Sequence, residues 1–282
     1  MNRLENIQKL ADKHSLKSYQ TGYVLQVEQE VGFAGKSILE VGGSLPREFV
    51  FEALEVKSWT AIEYIQYYID AGFEYPGGAV SITFDEIKDG SLPREYEVLN
   101  GKIEDLPYHL FSSFDLVFSV ATLQHLHAIP AATEKIFQSL KLGGHYCAFS
   151  APIWSCYNGH FFIEKKSASG ENYNYYDNSP VPPWGHLLMR PPQMYEYLCR
   201  AVDFDTAAAI TYEIYNSSRI NRFFLEDYFH FLKLSPFSQG QFRPLPPMFI
   251  PEDVQAKLET LYPGYQNFSS QGFSFTLFRD RE

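Results

Sequence analysis

The sequence predicts an α/β fold built on a doubly wound, mostly parallel sheet. Three observations lead to it. Short apolar strands alternate with helical stretches from Ser37 to Ser150. A glycine pair, Gly42-Gly43, follows the first strand at once. An acid, Glu63, closes the second strand about 20 residues further on, which is the order of a nucleotide-binding βαβ unit.

The elements follow in turn. Residues 4–31 have apolar positions near helical spacing, with Gly22 as an interruption. Ser37-Ile38-Leu39-Glu40-Val41 is a short apolar strand, and 46–54 a helix that tolerates Pro46 in its first turn. Residues 59–62 form the second strand. The stretch 71–92 is loop-rich around Pro76-Gly77-Gly78 and Asp89-Gly90, with a short strand at 79–83. Residues 97–100 are a third strand running toward Glu104-Asp105-Leu106-Pro107, and 114–120 a buried fourth. A helix over 131–140 is entered through Pro130 and stopped by Gly143-Gly144, and 145–150 is the fifth strand.

Residues 152–192 break this rhythm with Pro, Gly, Asn and Tyr. A long aperiodic stretch is either functional or disordered, and its aromatic content argues against disorder. Beyond it, 193–201, 220–232 and 252–261 read as helices, 207–215 and 272–278 as strands, and 244–251 as a Pro-rich loop.

Composition narrows the function. Of 282 residues 45% are hydrophobic, enough for a core without disulfide or metal staples. A net charge of -11 with no Lys/Arg cluster argues against a nucleic-acid partner or an anionic membrane and favours a small-molecule substrate. Residues 1–15 lack the apolar core of a secretory signal, and no run approaches the ~18 apolar residues of a membrane span. Cys147, Cys156 and Cys199 form no zinc pattern, so a reduced, cytoplasmic setting and no metal are expected. Aromatic residues reach 17%, with the excess after Pro152, and such surfaces stack on flat or sugar-like ligands.

The glycine turn lets backbone approach a ligand, and Glu63 is placed for ribose hydroxyls. Glu40, beside the turn, would repel a pyrophosphate. Opposite a ligand with a sulfonium and an α-ammonium group its charge is favourable.

Ile38-Leu39-Glu40-Val41-Gly42-Gly43 resembles the first motif of class I S-adenosylmethionine-dependent methyltransferases. Phe114-Asp115-Leu116-Val117-Phe118-Ser119 resembles the fourth, and Leu123-Gln124-His125-Leu126 its continuation. Leu140-Lys141-Leu142-Gly143-Gly144-His145 resembles the turn before the fifth strand. The resemblance spans roughly residues 37–152. It implies a Rossmann-like sheet of seven strands ending in an antiparallel strand, with S-adenosylmethionine as cofactor. It assigns Glu63 to ribose, Gly42 and Ser44 to the methionyl end, and Glu104 or Asp105 to the adenine. Glu40, Gly43, Tyr64 and Ser119 complete the implied cofactor set. Asp115, at the start of its strand, reads as structural. Ser44 and Pro46 stand where the later glycines of the first motif would fall.

The expected organisation is an N-terminal helical lid over residues 1–35, with Tyr19, Gln20 and Tyr23 toward the cofactor. A methyltransferase domain over 36–282 follows, with cap insertions at about 151–192 and 216–268. The implied reaction is O-methylation of a small molecule, a glycosyl unit or secondary metabolite. Histidine is the natural base near neutral pH. The candidates are His125, His160 in Tyr157-Asn158-Gly159-His160, and His186 in Trp184-Gly185-His186, with His127 behind them. Two alternatives remain. One is a non-catalytic homologue binding a partner or carbohydrate through its aromatic cap. The other is a nicotinamide-dependent oxidoreductase, disfavoured by Glu40 and by the lack of Gly-x-Gly-x-x-Gly.

Overall fold

The computed structural model describes residues 2–43, 45–71, 81–84, 95–159 and 164–281. Its centre is an eight-stranded sheet. Strands β1 (Ser37–Val41), β2 (Ser58–Glu63), β3 (Ser81–Thr83), β4 (Tyr96–Asn100), β5 (Phe114–Val120) and β6 (Leu140–Ser150) run parallel. A separate two-stranded ribbon pairs β7 (Lys165–Lys166) with β8 (Asn172–Tyr173). The main sheet closes with β9 (Gln239–Pro244) and β10 (Phe273–Phe278). β10 lies antiparallel to β6, and β9 antiparallel to β10. The order is β3-β4-β2-β1-β5-β6-β10-β9. Seven of these eight strands, the three-residue edge β3 included, lie where the sequence placed strands, and β9 is the addition. Every residue of β1 and β2 is buried, as parallel strands covered on both faces require.

Helices α1 (Arg3–Lys13), α2 (Ser18–Glu30) and α3 (Arg47–Glu52) cover one face. There Val27, Phe33 and Phe49 pack with Trp59 and Phe118. The 1–35 segment is built into this wall. Ile7, Ala11 and Val24 are buried, and Tyr23 stacks on Phe118 at 5.5 Å. Helix α4 (Ile65–Ala71) follows β2, and α5 (Ile129–Ser139) covers the other face. The segment after β8 contributes α6 (Gly185–Leu188), α7 (Pro191–Leu198), α8 (Phe204–Tyr215), α9 (Leu225–Lys233) and α10 (Glu252–Leu261). Trp154, Trp184, Met194, Ile210, Ile214 and Phe268 form a core of their own, while α9 packs beside α5.

One expected strand is a helix. Residues 207–215 lie in α8, where Asp203 accepts a hydrogen bond from the Thr206 amide at 3.0 Å and caps the first turn. Ala207, Ile210 and Ile214 then share one buried face. The partner of β10 is instead β9, a mostly exposed edge strand without apolar alternation. Gly240 is needed there because any Cβ would strike Leu277.

Candidate cofactor and acceptor site

A cavity of about 560 Å³ opens at the carboxyl ends of β1, β2, β4 and β5. Gly42 forms its floor at φ +70°, where a Cβ would collide with the side chain of Thr122. Thr122 Oγ1 donates to the Gly42 carbonyl at 2.7 Å and locks the turn against the end of β5. Only glycine fits both the backbone conformation and this approach.

Glu40 is not where its charge suggested. Strand alternation sends Leu39 and Val41 to one face, and Ile38 and Glu40 to the other. Val41 lines the cavity and Glu40 does not. Glu40 Oε2 accepts from the Trp59 indole and from the Leu45 amide, both at 2.8 Å. Burial pushes its carboxyl up to about 7, against these two bonds. Gly43 lies over it, and a Cβ there would come 2.8 Å from Glu40 Oε1. Glu40 braces the glycine turn from beneath. Ser44 falls outside the described residues.

Glu63 ends β2 in the cavity wall and is 6% exposed. Its carbonyl accepts from the Gly101 amide, which joins the ends of β2 and β4. Tyr64 stands beside it, 41% exposed, with Lys102 Nζ 4.9 Å from its ring centroid. The 3-10 turn Ile103–Asp105 puts Glu104 in the wall and leaves Asp105 exposed, which separates the two candidates. Ser119 is fully buried and outside the lining, and its hydroxyl donates to the Val41 carbonyl at 2.9 Å. Asp115 accepts from the Ser37 amide and from Lys141, both at 2.8 Å.

The histidines part company. His125 lines the cavity with its ring edge-to-face on Tyr67 at 4.9 Å. Its Nδ1 lies 3.0 Å from the Arg219 carbonyl, so Nδ1 carries the proton and Nε2 the lone pair. Burial pushes its imidazole down to about 4. His127 also reaches the wall, with Nε2 2.7 Å from the Ser218 carbonyl. His186 is 1% exposed within the cap, bonded through Nε2 to the Trp154 carbonyl at 2.7 Å and held down to about 4 by burial. It does not line the cavity, because the Gly185–Leu188 turn faces Trp154. His160 lies outside the described residues.

Several wall residues escaped the sequence. Tyr67 and Thr122 sit near recognised motifs, but Ser218 and Arg219 arrive from the loop between α8 and α9. That loop is fastened to residues 121–128 by Asn221. Its amide donates to the Gln124 carbonyl at 2.8 Å, and its Nδ2 to the Leu123 and Leu126 carbonyls at 2.7 Å each. Among the described residues no group of three His, Cys, Asp or Glu could hold a metal, and no helix is long and apolar enough to cross a membrane.

Residues 77–148 match a family model described as a methyltransferase domain. No curated protein matches the chain. Among solved structures, an S-adenosylmethionine-dependent methyltransferase from Mesorhizobium loti aligns at 13% identity over 90% of this chain and 96% of its own, with a TM-score of 0.44. Another from Archaeoglobus fulgidus aligns at 10% identity over 96% and 98%, with a TM-score of 0.45. Overlap at this level says nothing about the acceptor.

Proposed function

We propose that this chain, whose residues 77–148 match a methyltransferase-domain model, is a class I S-adenosylmethionine-dependent methyltransferase that methylates a hydroxyl oxygen of a small molecule. The observation that carries the reading is a buried carboxylate, Glu63, in the same cavity wall as a glycine turn with no room for a side chain. These parts fit the cofactor. Glu63 would accept from ribose hydroxyls, the Gly42 backbone would meet the methionyl end, and Glu104 would face the adenine. Tyr64 would lie along the nucleoside, and Ser44, which follows Gly43 in the sequence, would bond the methionyl carboxylate.

When bound, that cofactor would supply an electrophilic methyl carbon and a neutral thioether as leaving group. The protein then needs to orient the acceptor and take one proton. His125 is the favoured proton acceptor, since its tautomer leaves the lone pair on Nε2 and burial keeps the ring neutral. His160 remains a candidate from the sequence. His186, closed within the cap core, would position Trp154.

A second reading is a non-catalytic homologue that binds a partner or carbohydrate through its aromatic cap. Glu40, fully engaged with Trp59 and Leu45, and the substitutions at Ser44 and Pro46 favour it. Calorimetric titration of S-adenosylhomocysteine into wild type and Glu63→Ala separates the two. Losing a charge-assisted hydrogen bond costs ~1.5–3 kcal/mol, so the variant should bind roughly tenfold more weakly or worse. No binding by folded wild type would end the methyltransferase reading.

A further inference from the structure

Arg219 is a cavity-wall residue that the cofactor does not account for. Its Nη2 is ion-paired with Glu213 Oε2, and Glu213 Oε1 takes Lys165 Nζ at 3.0 Å. Burial pushes the Glu213 carboxyl up, and the two cations outweigh it and hold it below its ordinary value. Arg219 Nε lies 3.5 Å from Ser217 Oγ, and among the described residues no hydrogen bond engages Nη1. Three residues on, Arg222 bonds the carbonyls of Glu213, Ile214 and Ser217 and lies over the Trp154 ring at 5.5 Å. Two cations therefore share one carboxylate, and a third is held on backbone carbonyls beside them, in a chain whose net charge is -11.

The arrangement across the sheet matters as much. Glu63 and Glu104, the acids of the cavity wall, follow β2 and β4 on one side of β1. Arg219 is tied to the loop after β5, on the other side, through the His125 ring on its own carbonyl. Tyr67 borders it, and the charge of Arg219 partly offsets the burial that pushes that phenol up to about 12. A partly desolvated cation beside a neutral imidazole can hold two parts of one molecule, an anion on the guanidinium and a hydroxyl on the base. The Tyr67 ring, edge-to-face with His125, adds an aromatic surface beside them.

We infer that Arg219 receives an anionic group of the acceptor, a carboxylate or a phosphate, which makes the acceptor a flat hydroxylated acid. The inference rests on the methyl-transfer reading above and narrows its substrate class.

The test uses the full chain and two titrations. S-adenosylhomocysteine and 5′-methylthioadenosine, which lacks the amino-acid carboxylate, are first titrated into wild type and Arg219→Gln. The protein saturated with S-adenosylhomocysteine is then titrated with 4-hydroxybenzoate, 4-hydroxyphenyl phosphate and neutral methyl 4-hydroxybenzoate. The expected result is S-adenosylhomocysteine affinity changed by less than about twofold, with binding of one anionic probe weakened roughly tenfold or more in Arg219→Gln and the ester unaffected. The better anion identifies carboxylate or phosphate. Glu213→Gln should move the same probe the other way, because Arg219 is then no longer shared. That reversal keeps the test decisive should Arg219→Gln fold poorly.

Three results overturn the inference, and a fourth tells its failure apart from that of the methyl-transfer reading. S-adenosylhomocysteine weakened in Arg219→Gln while 5′-methylthioadenosine is unchanged would assign Arg219 to the cofactor's own carboxylate. An ester that binds as well as the acid, or absence of anion binding by the loaded wild type, would remove the acceptor anion. Arg219-dependent anion binding by a wild type that ignores S-adenosylhomocysteine would instead sink the methyl-transfer reading and leave the anion site standing.

Discussion

The Trp59 indole donates to Glu40 at 2.8 Å, and the same carboxylate oxygen accepts the Leu45 amide, so one buried acid joins β1, β2 and the turn above Gly43. A carboxyl raised from 4.5 to about 7 by burial binds its proton more tightly folded than unfolded. Its contribution to stability is therefore full below 4.5 and is lost as pH rises through about 7. The loss is roughly 3 kcal/mol at most, from about 1.4 kcal/mol per pKa unit. Glu40→Gln retains an acceptor oxygen and cannot ionise. Urea unfolding at about pH 5 and pH 8 should show the variant gaining on wild type at the higher pH. A parallel pair of pH profiles would contradict this role.

Gly42→Ala should be costly twice over. The left-handed conformation adds about 1–3 kcal/mol for a residue with a side chain, and the added methyl meets Thr122. Pairing the change with Thr122→Ala removes the collision but not the conformational strain, so denaturant midpoints should recover only in part. Full recovery would mean that φ at this turn relaxes freely.

Much of this frame is legible in the sequence, for a physical reason. Buried parallel strands read as unbroken apolar runs, and β1, β2, β4 and β5 all lie where those runs fall. Glu63 ends one of those strands, and Gly42, Tyr64 and Glu104 come within a few residues of a strand end, so local order places them. The rest depends on contacts distant in sequence. Ile210, Thr211, Tyr212, Ile214 and Tyr215 suggest a strand by type, while the Asp203 cap and burial against Met194 and Leu198 make a helix. β9 is an exposed edge with no periodic signature. Arg219 reaches the cavity only because Asn221 and two histidines fasten its loop there, and no motif marks that. The alternation that turned Glu40 away from the cavity was readable, but its charge was the stronger cue.

His186 is pushed down to about 4 because its buried ring resists protonation, whereas an unfolded imidazole titrates near 6.5. The unfolded chain then binds the extra proton. Stability from this site is full above about 6.5 and lost as pH falls toward 4, by roughly 3 kcal/mol at most. His186→Gln should flatten the acid side of the stability profile while leaving S-adenosylhomocysteine binding intact. A variant that keeps the wild-type acid slope would show that another group sets it.

His125 predicts a different signature, in rate rather than stability. Its ring is neutral down to about 4, so activity should show no acid limb near the ordinary histidine value. His125→Asn should lower kcat by about 10²-fold, the usual worth of a positioned base. Cofactor affinity should stay close to wild type. Equal losses in kcat and in S-adenosylhomocysteine affinity would make His125 a wall residue only.

Asn221 offers the sharpest test of how the acceptor side is assembled. Its side chain donates to the Leu123 and Leu126 carbonyls and accepts the Tyr228 hydroxyl at 2.7 Å, all in buried or half-buried surroundings. Asn221→Ala leaves two carbonyls and a phenol without these partners, at about 1–3 kcal/mol for each group that water cannot reach. The turn at Gly42 and the Glu63 wall do not depend on this residue. Hydrogen exchange should therefore quicken in residues 121–128 and 217–222 together, and KM for the acceptor should rise more than the Kd for S-adenosylhomocysteine. Tyr228→Phe removes one of the bonds and should give the same pattern at lower amplitude. If exchange quickens in only one of the two loops, they are not held as a unit, and the placement of Arg219 must come from its pair with Glu213 instead.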